Sequence, residues 1–288
     1  MSMATPVYFD SHMHTPLCKH AEGEPVEYAR VGRRRGLKGV IFTCHSPMPD
    51  GFSHHVRMEP GQFDRYVAMV AEATGEMDKE GFVVRLGLES DFFPGMEPWL
   101  EELHQRAGFH YVLGSVHPFT SEYRKAYRIE GEEVAFQAQY FTHLAEAAET
   151  GLFDCLSHPD IVKVMFPRKW NFAAVREAVE PALDRIAATG IAMELNTSGI
   201  HKSVPEMNPG PEMLALIAAR GIPVVLGSDS HLPGRVAENF SFALDLLEEA
   251  GLGQVSCFEN RTRQDFAIEL VRESLTEDRG STGLPLFP

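Results

Sequence analysis

Two histidines one residue apart, His12 and His14, follow the short apolar run Val7-Tyr8-Phe9 and stand just after Asp10. Side chains on a strand repeat every two residues, so both imidazoles project from one face, about 6.6 Å apart at the backbone. From there they can lean onto one cation at Zn–N distances of about 2.0–2.1 Å. Taken alone, H-x-H is a weak sign. It gains weight from Asp229-x-His231, His45, His117, His158 and Glu89, each placed at or just past its own apolar run. His20, six residues beyond His14, is undecided by position alone. His54, His55, His104 and His143 sit in a polar loop or in helical patterns and are assigned to surface or packing. Cys18 and Cys44 offer soft donors, but isolated cysteines more often fill space as small hydrophobes.

With His20 included, seven imidazoles and two carboxylates exceed one tetrahedral site and can fill two or three, with Glu89 and Asp229 free to bridge. Three divalent ions, set against two carboxylates and one bridging hydroxide, leave a net of about three positive charges. A site that positive, in a chain of net charge −15, suits an anion carrying two charges, such as a phosphate monoester. A dinuclear site richer in carboxylate would suit amides or cyclic ureas. Bound cations lower the pKa of water to about 7 and clamp the equatorial oxygens of a phosphoryl group in transfer. No serine nucleophile elbow, P-loop or G-x-G-x-x-G occurs in the strand-to-helix context it requires.

What must position these residues is a set of seven short apolar runs, at 7–9, 39–43, 82–86, 111–113, 153–156, 191–195 and 222–226. Each is too short for a helix and lacks alternation, as expected of strands buried on both faces. Helical patterns fill the intervals. One starts at Pro25 and stops at Gly36. A second spans about 132–149, with Val134, Ala138, Phe141, Ala145 and Ala148 on one face. A third is capped by Asn171 and ends before Gly190, with Pro181 predicted to kink or split it. Gly81, Gly108, Gly221 and Gly251 read as further helix stops. Strand, helix, glycine, repeated seven times, predicts a parallel α/β barrel, in which the C-terminal strand ends converge on one active face. Six of the 13 histidines fall just beyond such ends.

At 288 residues the chain is long enough for one large domain, and 1–288 reads as a single barrel with 280–288 as a loose tail. Lys and Arg number 26 against 41 Asp and Glu, which argues against nucleic acid or an anionic membrane as partner. The run Arg33-Arg34-Arg35 lies in a helical pattern and reads as a solvated face. Four scattered cysteines, no signal-peptide pattern and no apolar stretch of membrane-spanning length predict a cytoplasmic protein.

Together, Asp10-x-His12-x-His14, His20, Cys44-His45, Gly87-x-Glu89, Gly114-Ser115-Val116-His117, His158-x-Asp160 and Gly227-Ser228-Asp229-Ser230-His231 resemble the PHP (polymerase and histidinol phosphatase) superfamily. The stretches DSHMHTPLCKHAEG, GLKGVIFTCHSPMP and YVLGSVH are similar to its histidinol-phosphate phosphatases, and the likeness runs over about 7–258. The resemblance implies a distorted (β/α)7, TIM-like barrel holding two to three divalent ions of zinc, manganese or iron. It places His12, His14, Glu89 and Asp229 on one metal, and Glu89, His117 and His158 on a second. His20, His45 and His231 then hold the third, which settles His20 as a ligand. Two departures stand out. Cys44 replaces the family's usual Asp beside His45, which would weaken the third site if that Asp orients the imidazole. His110 stands where the family often has Asp, and is expected to be structural.

The implied activity is hydrolysis of L-histidinol phosphate, through a metal-bridging hydroxide, with a phosphoesterase for another small ester as the alternative. A metal-dependent amidohydrolase is disfavoured by the charge sum, and a polymerase-attached module by the acidic composition. Candidate cations for the phosphate are Lys163, Arg168, His201, Lys202 and Arg235, all in loops beyond strand ends, with His201 preferred. Phe92, Phe93 and Phe119 are candidates for an apolar wall. The oligomeric state is not legible.

Overall fold

The computed structural model describes residues 5–276. The tail expected at 280–288 therefore lies outside the described residues.

Seven parallel strands follow one another around the sheet in chain order: β1 (Phe9–Asp10), β2 (Gly39–Phe42), β3 (Val83–Asp91), β4 (Tyr111–Ser115), β5 (Cys155–Leu156), β6 (Ala192–Asn196) and β7 (Val224–Gly227). All seven apolar runs are strands, as predicted. Their side chains are almost wholly buried because the barrel interior lies on one face and helices on the other. β3 runs further than its apolar run, so Glu89 lies on the strand and not beyond it.

The ring closes past its strand ends. Met13 bridges Ser230 in parallel, with His14 N donating to Ser230 O at 2.9 Å and Ser230 N to His12 O at 3.0 Å. Below that bridge the Tyr8 hydroxyl accepts from Leu226 N and donates to Ser256 O, filling the seam between first and last barrel strands. Asp10 secures the same seam, accepting from the backbone N–H of His12, Ser228 and Ala237.

The strands are joined by α1 (Pro25–Arg34), α2 (Phe63–Met77), α3 (Glu97–His104), α4 (Ser121–Tyr127), α5 (Glu133–Glu149), α6 (Phe172–Thr189), α7 (Pro211–Ala219) and α8 (Phe240–Glu249). α1 starts with a capping box between Glu24 and Glu27 and stops at Gly36, whose φ of +80° favours glycine. Arg33 reaches Glu80 at 2.8 Å on the surface, in keeping with a solvated basic face. α6 begins at Asn171, whose side chain accepts from Ala173 N, and continues unbroken past Pro181. The expected split does not occur, because packing of Val175, Val179, Leu183 and Ile186 outweighs one missing donor. In α5, Phe141, Ala145 and Ala148 are buried as predicted, Val134 is exposed and Ala138 half-buried, and Phe136, Tyr140 and Leu144 complete the buried stripe. Gly108 is not a helix cap: α3 ends at His104 with Gln105 as its C-cap, and a short loop follows.

Two strands were missed. β8 (Gln254–Glu259) joins β7 in parallel, and β9 (Thr262–Ala267) folds back antiparallel on β8 before α9 (Ile268–Ser274). The turn residues Asn260 and Arg261 both have positive φ, as a two-residue hairpin turn requires. That turn is tied to the end of the barrel opposite the histidines. Arg261 N donates to His110 O, Asn260 N meets His110 Nδ1, and the Arg261 guanidinium pairs with Asp154 at 2.5 Å. His110 is structural, as expected. Among the described residues, no helix is long and apolar enough to cross a membrane.

His104 is a packing residue: its Nε2 shares a hydrogen bond with the Ser90 hydroxyl at 2.9 Å. Burial, then the charge of Arg261, push its pKa down to about 4. Between that value and the unfolded value of about 6.5 the unfolded chain binds the extra proton, so this contribution is full at neutral pH and lost as pH falls towards 4. His104→Gln should therefore flatten part of the acid loss of stability. Urea unfolding at pH 7 and pH 5 should show a smaller difference in the variant than in the parent protein.

Candidate metal centre

All nine candidate ligands meet at the C-terminal rim. Their ring centroids form a continuous chain: His20 to His231 at 4.5 Å, His231 to His14 at 4.0 Å, His14 to His45 at 4.4 Å. It continues through His45 to His117 at 5.2 Å and His117 to His158 at 5.1 Å, with His12 6.0 Å from His158. His158 and Asp229 hold backbones of positive φ, unusual for residues other than glycine and typical of sites that over-determine their geometry.

Glu89 is the hub. Its Oε2 lies 2.7 Å from His45 Nδ1, 3.5 Å from His12 Nε2 and 3.6 Å from His14 Nε2. Its Oε1 lies 3.2 Å from His158 Nε2 and 3.4 Å from His117 Nε2, and accepts from the Ser115 hydroxyl. One carboxylate thus presents each oxygen to a different group of imidazoles, as a bridging ligand does. Asp229 Oδ1 lies 3.2 Å from His14 Nε2 and 3.6 Å from His12 Nε2, while Oδ2 accepts from the Ser198 hydroxyl.

Residues behind the ring fix which nitrogen faces inward. Glu194 Oε1 takes the His12 Nδ1 hydrogen at 2.6 Å, and Oε2 accepts from His158 N and Asn196 Nδ2. Asp91 accepts from His117 Nδ1. His20 Nδ1 donates to Cys18 O at 2.7 Å and His231 Nδ1 to Asp229 O at 3.0 Å. With those hydrogens placed outward, the Nε2 lone pairs of His20 and His231 face one another at 2.8 Å. His12 Nε2 is buried with no hydrogen-bond partner, pointed at the two carboxylates. Lone pairs and carboxylate oxygens aimed at shared points are the arrangement a cation relieves, so the residues fit divalent ions.

The electrostatics agree. Burial raises Glu89, but His45, His12 and His117 more than offset it and hold its carboxyl well below the usual range. Asp229 is likewise held well below by Lys202, His12 and His14 against its burial. The same carboxylates raise His14 to about 9 despite burial. His231 is pushed down to about 3 by burial and by His14.

Glu194 and Asp91 escaped the sequence reading. Both carried a signal: Glu194 is a lone carboxylate inside the apolar run 191–195, and Asp91 follows Glu89 by two, on the same strand face. Cys44 looks isolated in the sequence, but the fold brings it against another thiol. It is buried beside Cys18 and His14, with ligand atoms within 4.8 Å, and accepts from Thr15 N and Oγ1. It stands behind His14 and not behind His45.

The centre opens into a cavity of about 260 Å³. Of the five candidate phosphate cations only Lys202 lines it, with Nζ 3.4 Å from Asp229 Oδ2. Lys163 is wholly buried and spends its donors on Asp160, Glu206 and Met207 O, at 3.0, 2.9 and 2.8 Å. His201 and Arg235 both turn to Glu238, and Arg168 is exposed outside the lining. Phe119 lines the cavity, whereas Phe92 and Phe93 pack behind it. His55, assigned to surface or packing, lines the mouth.

The PHP domain family matches residues 10–198. The chain belongs to the PHP family. A probable histidinol-phosphatase of Deinococcus radiodurans is 37% identical over 270 residues, covering 88% of this chain and 98% of the relative. The histidinol-phosphatase of Bacillus subtilis is 24% identical over 266 residues, covering 82% of this chain and 98% of the relative. Among solved structures, the Lactococcus lactis histidinol phosphate phosphatase, crystallised with zinc, L-histidinol and phosphate, superposes with a TM-score of 0.74. It is 19% identical, with 89% of this chain and 98% of that one covered, and shows that the two share the PHP barrel.

Glu194→Gln should weaken metal binding by about 10- to 100-fold, the usual cost of losing a carboxylate behind a ligating histidine. Gly227 offers a second route to the same effect, because a Cβ there would run into Glu194 Oε1 and His12 Cβ. Gly227→Ala should lose metal alongside Glu194→Gln in a chelator competition, with the fold retained by circular dichroism.

Proposed function

We propose that the protein is a metal-dependent phosphomonoesterase that hydrolyses L-histidinol phosphate to L-histidinol and phosphate. The observation that carries the reading is the pair of inward carboxylates ringed by seven imidazoles, four of which have their outer Nδ1 held by a carboxylate or a backbone carbonyl. In this reading His12, His14, Glu89 and Asp229 hold one ion, Glu89, His117 and His158 a second, and His20, His45 and His231 a third. An imidazole-rich set of this kind suits zinc or iron over the hard cations. Ions bound there would supply Lewis acidity towards phosphoryl oxygens and a nucleophile at neutral pH.

The chain's own residues do the rest. Glu194 and Asp91 hold protons on the Nδ1 atoms of His12 and His117, which keeps their Nε2 atoms turned to the centre. Lys202 adds positive charge at the rim, and Val56, Phe119 and Ile161 supply apolar surface for the leaving group. The relatives' names support the histidinol ester as substrate. Four buried, unpaired thiols suit a reducing, cytoplasmic setting.

One observation favours a second reading, a different small phosphate ester. Among the described residues lining the cavity, the carboxylates are Glu89 and Asp229, and both face the imidazoles, leaving none for the substrate ammonium. A panel of phosphate esters decides between them. L-Histidinol phosphate should be cleaved with the highest kcat/KM, chelation should abolish the activity, and added zinc or iron should restore it. His117→Ala should leave no measurable turnover. A hundredfold preference for another ester would replace the substrate and keep the metal centre.

A further inference from the structure

The loop after β2 carries an arginine whose placement the metal centre does not require. Arg57 is among the largest fully buried side chains of the protein, 1% exposed, yet it lines the cavity beside Glu89, His117 and Thr120. Its Nη1 pairs with Asp91, and its guanidinium lies over the Phe52 ring at 5.9 Å. Its Nε is buried and makes no hydrogen bond. Its charge is felt at His45 and His117, whose pKa values it lowers after the larger effect of burial. Burial alone would push Arg57 down, and its pKa falls to about 10, so it remains a cation at neutral pH.

We infer that Arg57 is a phosphate-contacting residue, receiving the phosphoryl group on the β2–β3 side of the centre while Lys202 faces it from beyond β6. The inference rests on the phosphomonoesterase reading. Three observations support it. Asp91 and Phe52 hold the guanidinium in place, so no reorganisation is needed when an anion arrives. A donor that is desolvated and unpartnered lacks the compensation that an oxyanion would give. The cations chosen from the sequence are engaged elsewhere, with Lys163 locked by Asp160 and Glu206, and His201 and Arg235 by Glu238. The competing role is purely structural: Arg57 would neutralise Asp91 and so steady His117.

Zinc-reconstituted parent protein, Arg57→Lys and Arg57→Gln separate the two roles. Metal per chain, calorimetric titration with inorganic phosphate, and steady-state hydrolysis of L-histidinol phosphate are measured on the same samples. A phosphate contact requires unchanged metal content and a phosphate Kd raised at least about tenfold in both variants. In Arg57→Gln kcat/KM should fall by about a hundredfold or more, and Arg57→Lys should recover part of that loss. Should Arg57→Gln fail to fold, the lysine variant still gives the phosphate Kd. The inference is overturned by an unchanged Kd, by parallel loss of metal, or by a parent protein that binds no phosphate. Inorganic phosphate contains no ester, so a parent protein that binds it but leaves histidinol phosphate intact refutes the substrate and not the role of Arg57.

Discussion

Everything at the active rim depends on where a few imidazole hydrogens are kept. A neutral histidine can offer a lone pair from either nitrogen, and a ring left free would spread its population over both forms. Here Glu194, Asp91 and two backbone carbonyls take the outer hydrogens of His12, His117, His20 and His231. The inner nitrogens are thereby committed to a centre that already contains two carboxylates. Burying such a set without cations would be costly, since unpaired lone pairs and desolvated charges both raise the energy of the folded chain. The fold accepts that strain in the metal-free state in exchange for ligands that need little rearrangement.

The barrel explains how residues so distant in sequence reach one another. Each parallel strand delivers its last side chains to the same rim, and every crossover helix returns the chain to the opposite end. The hairpin of β8 and β9 does the complementary job at that opposite end, where Arg261 and His110 tie it across the starts of β4 and β5. The hairpin's ties thus lie at one end of the sheet, and the chemistry, with the Met13–Ser230 closure, at the other. The small cavity above the rim, with its mixture of imidazole, cation and apolar wall, completes a site for a compact anionic ester.

Most of the ring was legible because ligand chemistry leaves few choices. His, Asp and Glu at strand ends are costly there without a purpose, so His12, His14, Glu89 and Asp229 announced themselves. Glu194 did not, because a carboxylate in mid-strand has no strand end to betray it, although its presence in an apolar run was itself odd. Arg57 had no signal at all: it lies in a polar loop among turns, and only the folded loop brings it over Phe52. The cations chosen from the sequence went wrong for the converse reason. Loop position says that Lys163 is near the rim but not that Asp160 and Glu206 claim its ammonium. Likewise β8 is only half apolar and β9 opens on four polar residues, Thr262 to Asp265, so a search for uniformly apolar strands passes over the pair.

The seam secured by Asp10 and the Met13–Ser230 bridge joins the beginning of the chain to a segment more than two hundred residues later. The side chains around Asp229 come from His12 and His14 near the first strand, from Ser198 and Lys202 after β6, and from His231 after β7, with nothing local to assemble them. A nascent chain emerging from the ribosome therefore owns Glu89, His117 and His158 early, but the ligands grouped about Asp229 assemble only once the final barrel strand has docked. Capture of an ion by the Asp229 set is in this way deferred until β7 has docked, when the cage that imposes geometry on it is already closed.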